Sequence, residues 1–491
     1  MVATTRVLTL CLSLIVGLGI VACGGSSSSS SPALALISAT PPDGEVDVAS
    51  GARFVLEFNQ ALRASSVTAE SVQLAVSNVQ VPAQMDVEGG RITITPASAL
   101  TLGAEVQVFV HQDLRSQSGQ PLSAGQTLRY FVDQGRFRHP AELVWSEFGS
   151  DAAAIGDLNG DGVPDVVLAH CSPVPSSTIG VVLTLFPGRP GGDLGAGTVL
   201  ATAPQCSAPS ILMHDVDGDG RTDVLLGLAG QGIRVFRQGG DGSFVQTQSI
   251  GLAGPNQLRL GDLDADGLLE LASAGEQSIR IWRFSSQGTL AMGDSIAVSG
   301  YWINGFEVGD ISDDGLADVV VTYTYGGPFG HVEIFRQAPG GGFAPSEFRT
   351  ADPLHGASGI AMGDLNGDGR LDVVVTSGSN RPTSIGVYYQ NAQGELGTMT
   401  PVETYDVPLA VRVADIDGDG RDDVVVAHGG WLATGVYLQQ ANGTLAPEAL
   451  YRSPYGSYGV STLAVGDVNG DGKRDIVVGG SVLFQKDFIT P

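Results

Sequence analysis

The sequence predicts an all-β protein, a seven-bladed β-propeller preceded by a β-sandwich, and three observations carry that prediction. Glycine makes up 69 of the 491 residues, about twice the ~7% average, with no Gly-X-Y period, which demands many turns and short strands. An acidic nine-residue loop returns seven times at a spacing near 50 residues, the mark of an array of supersecondary units. Upstream of the array, short runs alternate apolar and polar residues between turn signals, as half-buried strands do.

The chain opens with Arg6 and an apolar run from Val7 to Ala22. Sixteen residues fall short of the ~20 that span a bilayer, so residues 1–22 read as a signal peptide. The run ends Ile20-Val21-Ala22-Cys23, which resembles the lipobox of bacterial lipoproteins; that resemblance implies cleavage before Cys23 and acylation of the cysteine. The alternative is an ordinary secretory signal containing a cysteine. Residues 23–32, with Gly24, Gly25 and the run Ser26 to Ser31, read as a flexible tether. Gly24 after the cysteine implies outer-membrane sorting or the cell surface. Export also places Cys171 and Cys206 where a disulfide persists.

With 52 acidic against 25 basic residues, the net charge is −27. Phosphate binding needs clustered Lys and Arg, so nucleic acid is excluded as a partner and membrane contact is expected through a lipid anchor only. Apolar residues still make up 43% of the chain, which excludes an acidic disordered polymer.

Residues 33–134 form the first unit. Its expected strands are 53–58, 72–76, 91–95, 105–110 and 127–132, separated by turns such as Pro41-Pro42-Asp43-Gly44 and Glu88-Gly89-Gly90. About 100 residues with this spacing read as a β-sandwich. The order of Thr40 to Gly44, the strand ending Phe58-Asn59, Pro96, Leu100 to Gly103, and Asp113 to Gly119 before a closing strand resembles the bacterial Ig-like domain of S-layer and surface proteins. The resemblance implies an Ig-like spacer or adhesive module. His111 stands alone there and reads as a strand residue.

The array occupies residues 136–491. Its loops place oxygen side chains at positions 1, 3, 5 and 9, glycine at 6, and a backbone carbonyl at 7. In order they are Asp157, Asn159, Asp161, Val163, Asp165; Asp215, Asp217, Asp219, Arg221, Asp223; Asp262, Asp264, Asp266, Leu268, Glu270; and Asp310, Ser312, Asp314, Leu316, Asp318. Then come Asp364, Asn366, Asp368, Arg370, Asp372; Asp415, Asp417, Asp419, Arg421, Asp423; and Asp467, Asn469, Asp471, Lys473, Asp475. Such an oxygen-only set around a sharp turn suits Ca²⁺, up to seven ions, better than Mg²⁺, which demands stricter geometry. The loops hold 24 ligand carboxylates, nearly the whole net charge. Two unit charges ~4 Å apart at an effective dielectric of about 20 repel by roughly 4 kcal/mol, so empty loops should oppose their own folding. The alternative, acidic turns that hold nothing, leaves that repulsion unopposed.

Position 12 is Leu168, Leu226, Ser273, Val321, Val375, Val426 or Val478, never the Glu of an EF-hand. β-Branched runs such as Val373 to Thr376 follow the loops instead, so each loop joins two strands. A third and fourth strand complete each repeat, as in Ile385 to Tyr389 and Val402 to Tyr405, giving four-stranded blades. The repeats resemble the FG-GAP/VCBS family that includes the integrin α-subunit propeller, which implies calcium-binding loops on one face and ligand binding on the other. The last copy ends after its third strand, Ser481 to Gln485, whereas residues 137–148 read like the fourth strand of other repeats. Those residues are therefore expected to close the seventh blade.

Strand parity puts Cys171, in the two–three connection of the first blade, and Cys206, in the four–one connection leading to the second, on the face opposite the loops, either as a disulfide or as two free buried thiols. The same parity assigns Tyr301, Trp302, Tyr325, Phe329, Trp431, Tyr455 and Tyr458 to that face, either as a ligand surface for sugar or protein or as covers over blade edges. No nucleophile elbow, zinc-protease helix or phosphate loop occurs, and His170 and His428 fall at equivalent strand exits. The expected function is a lipid-anchored, calcium-stabilised adhesion or binding protein for a protein or glycan, not an enzyme. The alternatives are a polysaccharide lyase-like enzyme and a purely structural envelope protein.

Overall fold

The computed structural model describes residues 32–144, 152–174, 177–204, 206–207, 209–254, 257–324, 330–350, 356–380, 382–429, 433–453 and 459–486. The signal peptide and Cys23 lie outside the described residues, as do Tyr325, Phe329, Trp431, Tyr455 and Tyr458. No helix among the described residues is long and apolar enough to cross a membrane.

The N-terminal unit packs two four-stranded antiparallel sheets face to face. One sheet runs Leu36–Thr40, Phe54–Phe58, Arg91–Pro96, Ala83–Glu88; the other runs Val79–Gln80, Val72–Val76, Glu105–Val110, Gln126–Phe131. Inward residues alternate along each strand, so Phe54, Leu56, Ile92 and Ile94 meet Val106, Val108, Val110 and Tyr130 in one core. The rings of Phe54 and Tyr130 lie 4.7 Å apart across the sandwich. The five expected strands appear within one residue of their expected ends. Leu36–Thr40, Val79–Gln80 and Ala83–Glu88 are additional, and the last alternates half-buried and exposed positions throughout.

Among the described residues the array folds into seven four-stranded antiparallel sheets. Blade 1 runs Ala152–Gly156, Asp165–Val174, Ser177–Phe186, Thr198–Pro204. The first strands of successive blades touch one another in order, and that of blade 7 (Leu463–Gly466) touches that of blade 1, so the ring is closed. The chain is a seven-bladed β-propeller preceded by an Ig-like sandwich.

The second strands show why the Val-rich runs belong here. In blade 5, Val373 and Val375 point into the core shared with blade 4, while Val374 points into the core shared with blade 6. A strand sandwiched between two blades must be apolar on both faces. Among the described residues seven such interblade cores occur, and one joins Val166, Leu168 and Phe186 of blade 1 to Val477, Val482 and Phe484 of blade 7. Blade 7 takes its fourth strand from upstream: Ala141–Glu142 pairs with Ser481–Leu483, and Phe137 bridges Gln485. Residues 145–148 of the expected closing strand lie outside the described residues.

The same upstream segment ties the sandwich to the ring. His139 stacks on Phe131 at 4.6 Å between centroids, and its N–H donates to Asp47 Oδ1 at 3.0 Å. The Arg452 guanidinium covers the other side of the junction, 4.4 Å from the Phe131 ring centre. Lys486 Nζ pairs with Asp133.

Candidate metal centre

Each acidic loop joins the first and second strands of its blade, for example Gly156 to Asp165 in blade 1. The glycine at position 6 has φ between +83° and +85° in all seven copies, a conformation that strongly favours glycine. That turn brings backbone N–H groups onto the position-1 carboxylate. In every loop its Oδ1 accepts from the position-5 N–H at 3.0–3.2 Å. Its Oδ2 accepts from the position-6 N–H at 2.7–3.0 Å.

The position-9 carboxylate is a bracket between strands. In six loops one of its oxygens accepts the N–H of position 2 at 2.8–3.1 Å. In six loops another accepts the N–H of a residue at the end of the third strand or two residues past it, at 2.7–2.9 Å. All seven are buried, at 0–2% exposure. Burial pushes Asp372 and Asp475 up to about 7 and Asp423 to about 6, partly offset by the backbone hydrogen bonds and reinforced by the neighbouring loop carboxylates. Burial likewise raises Asp165, Asp223, Glu270 and Asp318. The groups carry a solvation deficit that a bound cation would relieve.

Positions 1, 3 and 9 converge. In loops 2, 3 and 6 one carboxylate oxygen from each of Asp215, Asp217 and Asp223, of Asp262, Asp264 and Glu270, and of Asp415, Asp417 and Asp423 lies within 4.8 Å of the others. The four remaining loops carry Asn159, Ser312, Asn366 or Asn469 at position 3. Asp264 Oδ1 and Asp417 Oδ1 are buried and have no hydrogen-bond partner, an arrangement costly for a carboxylate unless a cation occupies the cluster. Oxygen donors alone, several of them anionic, fit a hard divalent cation.

Positions 5 and 7 make a further contact with each other in four loops. The position-5 carboxylates stand outside these triads. In loops 2, 5, 6 and 7 they face the position-7 cation: Arg221 pairs with Asp219, Arg370 with Asp368, Arg421 with Asp419, and Lys473 Nζ lies 3.1 Å from Asp471. A flexible cationic side chain two residues away competes for the oxygen that the turn leaves exposed. The expectation gave position 7 a backbone role alone. Val163, Leu268 and Leu316 have no such side chain.

A recurrent glutamine escaped the sequence reading. Gln238 at the end of its third strand, and Gln337, Gln390, Gln439 and Gln485 two residues past the ends of theirs, donate their N–H to position 9 of their own blade. Three of them also reach the preceding blade. Gln238 Nε2 donates to Leu158 O at 2.6 Å, Gln337 Nε2 to Asp262 O at 3.1 Å, and Gln439 Nε2 to Asp364 O at 2.5 Å. The signal was present: the glutamine stands two residues after Phe236, Phe335, Tyr388, Tyr437 or Leu483, an aromatic or aliphatic residue in register in five repeats.

On the opposite face Cys171 and Cys206 form a disulfide, with Cα atoms 5.4 Å apart. Cys171 sits inside the second strand of blade 1 and not in the following connection, because that strand runs ten residues. His170 precedes it in the same strand and is not a strand exit as expected. His428 does end its strand, and both its ring nitrogens face acceptors, Asp406 O and Glu448 Oε1, each at 2.8 Å. Tyr301 and Trp302 are 58% and 66% exposed, before the first strand of blade 4. Trp302 holds φ +62°, a left-handed conformation unusual for a bulky residue.

On the innermost strands, Arg259 Nε donates to Glu307 at 2.7 Å, while Arg412 donates to Val411 O at 2.8 Å. Residues from three blades assemble this cluster, a grouping invisible in linear order.

Five overlapping matches to the FG-GAP-like repeat family cover residues 215–272, 262–321, 313–375, 364–426 and 415–478. Together they span more than half of the 491 residues. The chain belongs to the FG-GAP-like repeat family. Its first loop, 157–165, precedes these matches yet repeats the hydrogen bonding of the other FG-GAP-like loops. Residues 30–132 match the bacterial Ig-like domain family. No curated protein matches the chain. Among solved structures, a lectin from Agrocybe aegerita that recognises non-reducing terminal N-acetylglucosamine is similar at 16% identity. It covers 85% of this chain and 99% of its own, at a TM-score of 0.48. BBS1N, solved in complex with ARL6DN, is similar at 13% identity over 72% of this chain and 96% of its own, at a TM-score of 0.48. A Lactobacillus plantarum protein is similar at 14% identity over 73% and 94%, at a TM-score of 0.44.

Proposed function

We propose that this FG-GAP-like repeat protein is a calcium-stabilised binding protein, exported and lipid-anchored through Cys23, that recognises a glycan or protein with the propeller face opposite the acidic loops. The observation that carries the calcium reading is the convergence of positions 1, 3 and 9, with buried carboxylate oxygens left unpartnered at Asp264 and Asp417. Positions 1, 3 and 9 would hold the cation, whose charge would offset the repulsion among them.

Support for recognition on the other face comes from Tyr301 and Trp302, large rings held outward in a constrained loop. Rigid aromatics contribute contact area at small entropy cost, on sugar or on protein. Support for a non-enzymatic role is the condition of the polar groups: His428 is held on both sides, and Arg259 is engaged with Glu307.

A glycan-array and surface-protein screen, run with calcium and with EDTA on the wild type and Trp302→Ala, tests this. Binding that needs both calcium and Trp302 is the expected result; turnover of a polysaccharide without stable capture would overturn it in favour of a lyase. Palmitate labelling lost in Cys23→Ser tests the anchor.

A further inference from the structure

Loops 2, 3 and 6 alone have an Asp at position 3, and each of those three carboxylates is met by an arginine from outside the loop. Arg237 pairs with Asp217, Arg283 with Asp264 at 2.6 Å, and Arg136 with Asp417 at 3.8 Å. Arg237 and Arg283 occupy the same place, one residue before the end of the third strand. Where position 3 is Asn or Ser, that place holds Pro187, Tyr389 or Phe484, or an Arg336 turned away to Glu347 at 2.8 Å. In blade 6 the place is Leu438, and Arg136 arrives from the segment that closes the ring.

The contact geometry is specific. An arginine beside a carboxylate ordinarily engages both oxygens with two parallel bonds. Arg283 instead directs Nε at 2.8 Å and Nη2 at 2.6 Å to one oxygen, Asp264 Oδ2, leaving Oδ1 buried and unpartnered. Asp417 shows the same division, with Oδ2 nearest Arg136 and Oδ1 unpartnered. Asp217 gives Oδ2 to Arg237, while Oδ1 accepts the Asp219 N–H at 3.3 Å. Setting the outside guanidinium against the position-3 carboxylate leaves the acids of positions 1, 5 and 9 in each of these loops, before the position-7 cations Arg221 and Arg421 are counted. The Asn- and Ser-type loops carry three there to begin with.

We infer that Arg237, Arg283 and Arg136 are charge-balancing clamps that hold one oxygen of the position-3 aspartate and present the other to the cation, so setting the affinity of their loops. This rests on the calcium reading above. A clamp restrains the empty loop, by removing one like-charge repulsion, and weakens the filled one, since site affinity rises with ligand charge.

The test uses the full chain and calcium itself, with affinity from competition against a chromophoric chelator and melting followed with calcium and with EDTA. In Arg237→Gln and Arg283→Gln one site is expected to tighten about tenfold, the effect of removing one unit charge roughly 6 Å from a divalent ion even at the dielectric of water. Their melting temperature in EDTA should fall. Asp217→Asn/Arg237→Gln, which converts loop 2 to the Asn type, should return both values towards wild type. An affinity unchanged or weakened in the arginine variants, with equal destabilisation in calcium and in EDTA, would overturn the clamp and leave calcium binding intact. Absence of calcium binding in the wild type would overturn both.

Discussion

Gln439 Nε2 donates to the backbone carbonyl of Asp364, 2.5 Å away in the neighbouring blade. The same residue gives its N–H to Asp423 at 2.7 Å, and its carbonyl accepts from Arg421 Nε at 3.1 Å. One glutamine thus fastens its own acidic loop and the loop before it. Removing the amide leaves a buried carbonyl short of a donor, which costs about 1–2 kcal/mol. Gln439→Ala should lower the unfolding free energy by that amount in a urea titration. Gln390 supplies the control: both polar atoms of its side chain are buried without a partner, so Gln390→Ala should cost clearly less. Equal losses in the two variants would contradict the stitching role.

Ala265 occupies position 4 of the third loop with φ +63°, where five other loops have glycine. A left-handed conformation costs an L-residue about 1 kcal/mol relative to glycine. Ala265→Gly should therefore raise stability by roughly 0.5–1 kcal/mol. Calorimetric melting checks this, and a lower melting temperature would show that the methyl group contributes more than the strain removes.

Stability without metal should depend on pH with a definite sign. Burial raises Asp372 and Asp475 to about 7 and Asp423 to about 6 from an ordinary 3.8. A carboxyl group with a folded-state pKa above its unfolded value favours folding most when protonated. That contribution is present at low pH and is lost as pH rises through the folded values. In EDTA the melting temperature should climb as pH drops from about 8 to about 6. With calcium the increment over EDTA should shrink across the same window, because protons compete for the ligands. A flat profile in EDTA would contradict the burial argument.

Trp302 is two-thirds exposed and holds a left-handed backbone, so its ring adds little to the core. Trp302→Ala and Tyr301→Ala should each weaken partner capture at least tenfold, as hot-spot truncations do. The melting temperature should move by only about 1–2 °C. Unchanged capture in surface plasmon resonance would assign recognition elsewhere.

Much of this was legible because the repeat is local. The loop spacing, the glycine at position 6 and the Val-rich second strands are fixed by neighbours within ten residues, and they recur in register. The paired Cys171 and Cys206 followed from strand parity, although Cys171 proved to lie in a longer strand than its sequence suggested. The remainder depends on residues far apart in sequence. Arg136 meets Asp417 across 281 positions, and Gln439 reaches Asp364 across 75. The Arg259, Glu307 and Arg412 set comes from three different blades. Position 5 has two uses open to it: the turn offers its carboxylate to a side chain two residues on, and an oxygen count cannot tell that use from metal ligation.

The most direct test of the central claim is differential scanning calorimetry of the same chain after EDTA treatment and after calcium is restored. The account predicts a lower, broader transition for the propeller in EDTA, restored by calcium but not by an equal concentration of magnesium. Superimposable melts in the two conditions would contradict it.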